Sequence, residues 1–253
     1  MSTIVITGAG SGMGLSTTKL FLERGWNVVM ADLNRQQRAE KIAQQLIQQY
    51  GEERILFVRT DVADSASVMA MAQQAYAKYP KIDALLNNAG VFVEGALHEV
   101  KEDAWDLVMS VDVKSIFLMA KAFVPQMIKQ KHGAIVNIAS ISGLRGDYNM
   151  AAYSAAKGAV VNLVRSMALN YGRFGIRVNN ICPGPTNTPM FQANPPAVIK
   201  KFNEASPLGH IVEPQDIAQA VWFLINDESA SITGVNLPVS TGFEVYSNQP
   251  VQD

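Results

Sequence analysis

Cysteine is almost missing from this chain: Cys182 is the only one, so no disulfide framework can hold the fold together. Histidine is equally scarce. His98, His132 and His210 are scattered without the spacing of zinc ligands, and no metal site is expected. Charged residues make up 17% of the chain, the formal net charge is -1, and no run of one sign stands out. That excludes the electrostatic footprint of a nucleic-acid partner and an acidic interaction tail. No apolar run reaches the roughly eighteen residues needed to cross a bilayer, and no basic leader precedes the first strand. A cytoplasmic protein with a small-molecule partner is therefore expected, with neither membrane nor nucleic acid involved.

What is present is apolar patterning. Hydrophobic residues make up 48% of 253 positions, without linker, repeat or low-complexity segment. One large domain, residues 1–253, is the natural reading. Thr3-Ile4-Val5-Ile6-Thr7 is a β-branched run ending at Gly8-Ala9-Gly10-Ser11-Gly12-Met13-Gly14, and Leu15 to Arg24 then reads as a helix. Glycines at a strand-to-helix junction let backbone N–H groups and the helix dipole meet a pyrophosphate. The spacing is T-G-x-x-x-G-x-G, not G-x-G-x-x-G. Asn27 to Ala31 is a second strand, and Asp32 follows it eighteen residues past Gly14. A carboxylate there can accept from the ribose hydroxyls of an adenosine and would repel a 2'-phosphate, which favours NAD over NADP; a solvated acid in a turn is the alternative. Neither Met13 nor Leu33 brings a cation.

Alternation continues along the chain. Arg35 to Tyr50 reads as an amphipathic helix and Arg54 to Arg59 as strand three, ending at Asp61-Val62. Asp61 could meet an adenine or cap the helix that starts near Ser65. Strand four, Ile82 to Leu86, runs into Asn87-Asn88-Ala89-Gly90, where small residues leave room for a ligand. Lys101 to Gln130 reads as one long helix bent at Pro125. Ala134 to Ala139 is a strand that empties into Ser140, Ile176 to Ile181 is strand six before Pro183-Gly184, Pro214 to Asn226 is a helix, and Val235 to Val239 is the last strand. The pattern is that of a doubly wound parallel sheet, Rossmann-like, with helices on both faces. Thr186 to Ser206 reads as irregular, either an apolar lid or an ordinary surface loop.

The helix Met150 to Tyr171 carries Tyr153 and Lys157 four residues apart, on one face. An ammonium beside a phenol favours the phenolate and so eases proton transfer. The same helix has almost no polar side, so it should be covered all round, a second subunit supplying part of the cover.

Taken in order, Thr7-Gly8-x-x-x-Gly12-x-Gly14, Asp32, Asp61-Val62, Asn87-Asn88-Ala89-Gly90, Ser140, Tyr153-x-x-x-Lys157, Arg177-Val178-Asn179 and Pro183-Gly184 with Thr188 resemble the short-chain dehydrogenase/reductase family over nearly the whole chain. The resemblance implies hydride transfer between NAD(H) and a secondary alcohol or ketone. It implies Tyr153 as general acid/base, Lys157 as the cation that eases its ionisation and binds the nicotinamide ribose, and Ser140 as the group that orients the substrate oxygen. Gly8, Ser11, Gly12, Met13, Gly14, Asp32, Leu33, Asp61, Val62, Asn88, Ala89, Gly90, Pro183, Gly184, Thr186 and Thr188 would then line the dinucleotide. Association as a homodimer or homotetramer through the long helices is also implied.

Two departures from the family pattern stand out. Asp112 occupies a position where the family carries asparagine, and its charge would hold Lys157 as ammonium. Ser240-Thr241-Gly242 replaces an acidic residue and two glycines, in a turn expected to matter only for C-terminal packing. A catalytically silent dinucleotide sensor of the same fold is the alternative that Asp112 leaves open, whereas a hydrolase lacks its G-x-S-x-G. Val93, Leu144, Tyr148, Met190, Phe191 and Phe202 are the candidate substrate wall, mostly apolar and suited to a cyclic or aliphatic alcohol. Arg145 could anchor a carboxylate or simply be solvated.

Overall fold

The computed structural model describes residues 1–34 and 37–245. Seven strands form one sheet in the order β3-β2-β1-β4-β5-β6-β7, every neighbouring pair parallel. They are β1 (Thr3–Thr7), β2 (Asn27–Asp32), β3 (Ile55–Arg59), β4 (Ala84–Asn87), β5 (Gly133–Ile138), β6 (Ile176–Pro183) and β7 (Asn236–Val239). Every residue of β1 and β5 is buried, as a sheet covered on both faces requires. The order reverses between β1 and β4, and a crevice at such a switch point is where open α/β sheets bind ligands.

The helices are α1 (Gly12–Glu23), α2 (Arg38–Tyr50), α3 (Ser65–Lys78), α4 (Glu102–Met109), α5 (Ser115–Gln130), α6 (Ala151–Tyr171), α7 (Pro196–Ala205) and α8 (Pro214–Ile225). On one face of the sheet Phe123, Met119 and Val164 pack on Leu85, Ile135 and Val178. On the other, Phe21, Leu46 and Val221 pack on Ile6, Met30 and Val136. Arginines close two helix ends that would otherwise leave carbonyls bare. Arg54 donates to Leu22 O and Trp26 O after α1, and Arg177 donates to the carbonyls of Leu224, Ile225 and Asn226 after α8. Among the described residues no helix is long and apolar enough to cross a membrane.

Several expectations need correction. The long helix expected over residues 101–130 runs from Glu102 to Gln130 with Pro125 inside it; what the sequence did not announce is a wide π-type turn at Ser110–Lys114, where α4 passes into α5. Of the helix expected from Arg35, Arg35 and Gln36 lie outside the described residues, and α2 starts at Arg38. Residues 186–206 are not irregular: a short 3₁₀ turn, Phe191–Ala193, leads to α7, with Pro196 at its first position, where a missing N–H costs nothing. Asp61 does not cap α3. Asp64 does, accepting from Ser67 N at 2.7 Å, while Asp61 accepts from Ala63 N and remains exposed. Within the single chain one side of α6 is left open, Leu169 being 84% exposed with Ala155, Arg165 and Ser166 facing outward beside it.

Candidate active site

The glycine loop is built for close approach. Gly8 has φ +65 and donates its N–H to Ala31 O at 2.8 Å. A Cβ on Gly14 would lie 2.2 Å from Gly8 O, so helix and strand can touch only through glycine. The neighbouring strand braces this loop. Thr7 Oγ1 accepts from Asn88 N at 2.9 Å and Ala89 N at 3.0 Å, and the Asn88 amide donates to Thr7 O and Gly8 O. Asp32 holds it from the far side, its Oδ2 accepting from Gly10 N and its Oδ1 from Asn34 N, both at 2.9 Å. A carboxylate with one N–H on each oxygen still has lone pairs for ribose hydroxyls.

The same end of the sheet collects the other expected cofactor residues. Val62 is buried after β3, Leu33 is partly exposed beside Asp32, and Thr188 packs over Gly12. Thr186 Oγ1 donates to Gly184 O, which fixes the chain after Pro183. The loop, the carboxylate at the end of β2 and the small residues after β4 thus form a cradle that fits a dinucleotide: a side chain at Gly8, Gly12 or Gly14 would press on Asn88, Thr188 or Gly8 O and force the loop out of this shape.

Tyr153 and Lys157 stand together on α6, and the loop that carries Ser140 after β5 packs against that helix. Ser140 is buried at the end of β5, its Oγ accepting from Ser142 N at 3.1 Å. A Cβ on Gly143 would come within 2.6 Å of Lys157 carbonyl atoms, so the Ser140 loop lies directly against α6. Lys157 is buried. Its Nζ donates to Ile138 O at 2.9 Å, lies 2.9 Å from Asp112 Oδ2, and stands 5.6 Å from the centre of the Tyr153 ring. Burial presses the ammonium towards its neutral form, but Asp112, followed by Tyr153, outweighs it and the net displacement of the Lys157 pKa is upward. Cys182 lies behind this group at the end of β6; burial pushes its thiol up to about 12, which keeps it neutral and unreactive.

The candidate substrate wall is only partly assembled. Val93 packs with Tyr153 on Val108, Ala152 and Ala156. Phe191 and Phe202 meet edge to face at 5.2 Å. Leu144, however, packs against the sheet-helix core, Tyr148 is 94% exposed and Met190 is 60% exposed, so these three do not form a wall in this conformation. The turn after β7 is not remote from the site. A Cβ on Gly184 would lie 2.8 Å from Ser240 Cα, Ser206 Oγ donates to Thr241 Oγ1, and Leu208 N donates to Thr241 O. Thr241 thus holds the chain just after α7, and Phe243 extends the row to Phe202 at 6.0 Å.

Some positioning residues escaped the sequence reading. Phe92 meets the Tyr153 ring edge-on at 5.3 Å. Asn87, Asn137, Asn180 and Asn236 are register partners on β4 to β7 and form a ladder of amides, each donating to the next at 2.7–2.9 Å. Asn180 and Asn236 also donate to Val160 O and Val161 O of α6, tying the Tyr153 helix to the sheet. An asparagine recurring within four apolar strands is the only trace this leaves in the sequence.

A family model described as enoyl-(acyl carrier protein) reductase matches residues 8–244. Meso-2,3-butanediol dehydrogenase of Serratia marcescens is 41% identical over 247 residues, covering 98% of this chain and 96% of the relative. Cis-4-hydroxycyclohexanecarboxylate dehydrogenase of Sinomonas cyclohexanicum is 38% identical over 94% of this chain and 95% of its own. Among solved structures, 3-ketoacyl-(acyl-carrier-protein) reductase from Brucella melitensis, complexed with NADH, superimposes with a TM-score of 0.88 at 31% identity, over 96% of this chain and 98% of that one. With the motifs carried on a parallel seven-stranded sheet and agreement over nearly its whole length, the chain belongs to the short-chain dehydrogenase/reductase family.

Proposed function

We propose that this protein is an NAD(H)-dependent oxidoreductase that interconverts an apolar or cyclic secondary alcohol and its ketone. The reading is supported by buried Lys157 standing 5.6 Å from the Tyr153 ring and bonded to the end of β5, whose next loop carries Ser140 and packs on α6. A bound nicotinamide dinucleotide would supply the hydride acceptor, with Gly8, Ser11, Gly12, Met13, Gly14, Asn88, Ala89, Gly90 and Thr188 holding it and Asp32, Leu33, Asp61 and Val62 facing the adenosine end. Pro183, Gly184 and Thr186 would shape the nicotinamide end. The chain's own part is positioning and proton transfer. Ser140 Oγ holds the substrate oxygen, Tyr153 takes the carbinol proton as the C–H hydride leaves, and Lys157 balances the phenolate. In the reductive direction each transfer reverses and Tyr153 returns the proton to the alkoxide oxygen.

NAD is favoured over NADP because Asp32 presents its charge where a 2'-phosphate would sit. Arg59 is the register partner of Asp32 on β3, but no ion pair joins them among the described residues. Assayed as NADH or NADPH formation at 340 nm over a panel of secondary alcohols, kcat/KM is expected to favour NAD at least tenfold, and Asp32→Ser to narrow that ratio by about tenfold, one lost charge repulsion of ~1.4 kcal/mol. Equal use of both cofactors by the unmodified protein would overturn the cofactor assignment.

Residues 186–206 are proposed to close over the substrate as a lid, bringing Met190, Phe191 and Phe202 to the apolar wall; relatives that act on a butanediol and a hydroxycyclohexanecarboxylate suit such a pocket. The outward faces of α5 and α6 carry exposed Phe117 and Leu169 and a cleft of about 310 Å³ that includes Val124, Pro125 and Tyr171. Homodimer or homotetramer formation through this face would complete the cover of α6.

A further inference from the structure

We propose that Asp112 is a positioning residue that fixes Lys157 as an ammonium through a direct ion pair, and thereby sets the pH at which Tyr153 releases its proton. This rests on the roles given to Tyr153 and Lys157 above. The wide turn at Ser110–Lys114 separates α4 from α5, and Asp112 sits at its centre, only 3% exposed. Its carboxylate is used on both oxygens: Oδ1 accepts from Val91 N at 2.8 Å and Oδ2 lies 2.9 Å from Lys157 Nζ. A Cβ on Gly90 would come 3.3 Å from Oδ2, so the chain leaves this carboxylate just enough room.

The groups facing Lys157 come from four elements. Asp112 reaches it from the wide turn, Tyr153 from α6 itself, Ile138 O from β5 and the Cys182 thiol from β6. Cys182 is neutral and the carbonyl carries no formal charge, so Asp112 is the permanent counter-ion. Burial presses Lys157 towards its neutral form; Asp112 and then Tyr153 outweigh it and hold the ammonium. The carboxylate has a second effect. It offsets part of the positive potential that Lys157 exerts on the Tyr153 phenol, so the phenolate forms at higher pH than beside an unpaired ammonium.

Asp112→Asn separates charge from shape, because an asparagine keeps the size and one carbonyl oxygen for Val91 N–H. The readout needs no turnover: phenolate absorbance is titrated in the unmodified protein and in Asp112→Asn, each with its Tyr153→Phe counterpart subtracted. The Tyr153 transition is expected at lower pH in Asp112→Asn than in the parent, with the rising limb of the kcat/KM profile for alcohol oxidation moving the same way. Asp112→Glu, which retains the charge, should stay near the parent. Coincident titrations in Asp112→Asn and the parent would overturn the proposal, as would a glutamate variant that moves with the asparagine one. Asp112→Leu removes the Val91 acceptor and should lower the melting temperature, which identifies a purely structural role by its effect on stability alone. Were Tyr153→Phe fully active, the parent reading would fail instead, whatever the titrations gave.

Discussion

Tyr153→Phe is expected to lower kcat/KM for alcohol oxidation by about 10³-fold, the scale of a positioned general base, while NADH affinity changes by less than about twofold. The phenylalanine keeps the ring, and with it the edge contact to Phe92 at 5.3 Å and the packing on Val108, Ala152 and Ala156. Only the hydroxyl goes. A ring without that hydroxyl cannot take the carbinol proton, and the Ser140 hydroxyl, which accepts from Ser142 N, is by itself too weak a base to replace it. Steady-state kinetics and fluorescence titration with NADH check the two halves separately. Loss of NADH binding together with activity would mean that the substitution had disturbed the cradle, and residual activity above about a tenth would mean that another group moves the proton.

Asn137→Leu is expected to cost ~3 kcal/mol of stability, a fall in melting temperature of roughly 6–12 °C. Asn137 is fully buried in β5, accepts from the Asn87 amide at 2.8 Å and donates to Asn180 Oδ1 at 2.9 Å. Leucine has similar volume but leaves a donor and an acceptor without partners in the dry interior, each worth about 1–3 kcal/mol. The break lies in the ladder that ties α6 to the sheet, so Tyr153 should also be less well held against Ser140. Differential scanning calorimetry checks the first effect and kcat the second. A melting temperature unchanged by Asn137→Leu would mean that the amides contribute nothing beyond their volume.

The sheet and the glycine cradle were legible in the sequence because each rests on local physics. β-Branched runs stop at glycine, and a strand-to-helix junction needs glycine at Gly8 and Gly14 whatever surrounds it. Tyr153 and Lys157 were legible because four residues on a helix share a face. What needed the structure was register and backbone irregularity. The asparagines of the ladder are 50, 43 and 56 residues apart in sequence, so only the pairing of β4 to β7 brings them together. The wide turn that presents Asp112 has no composition signal of its own. Helix α7 was hidden behind Pro195-Pro196, although a proline at the first helical position is itself a start signal. The C-terminal turn looked peripheral because its contacts with Gly184 and Ser206 join segments distant along the chain.

Hydride transfer is tested most directly by isotope. Secondary alcohols carrying deuterium at the carbinol carbon, a butane-2,3-diol and a cyclohexanol among them, would be incubated with NAD and the protein, and the cofactor analysed by mass spectrometry. Deuterium is expected in the reduced nicotinamide, in equal amount to the ketone formed, and absent with Tyr153→Phe. Tight NADH binding without deuterium transfer from any alcohol, and without reduction of the corresponding ketones, would contradict the dehydrogenase reading and leave a dinucleotide-binding protein that does not turn over.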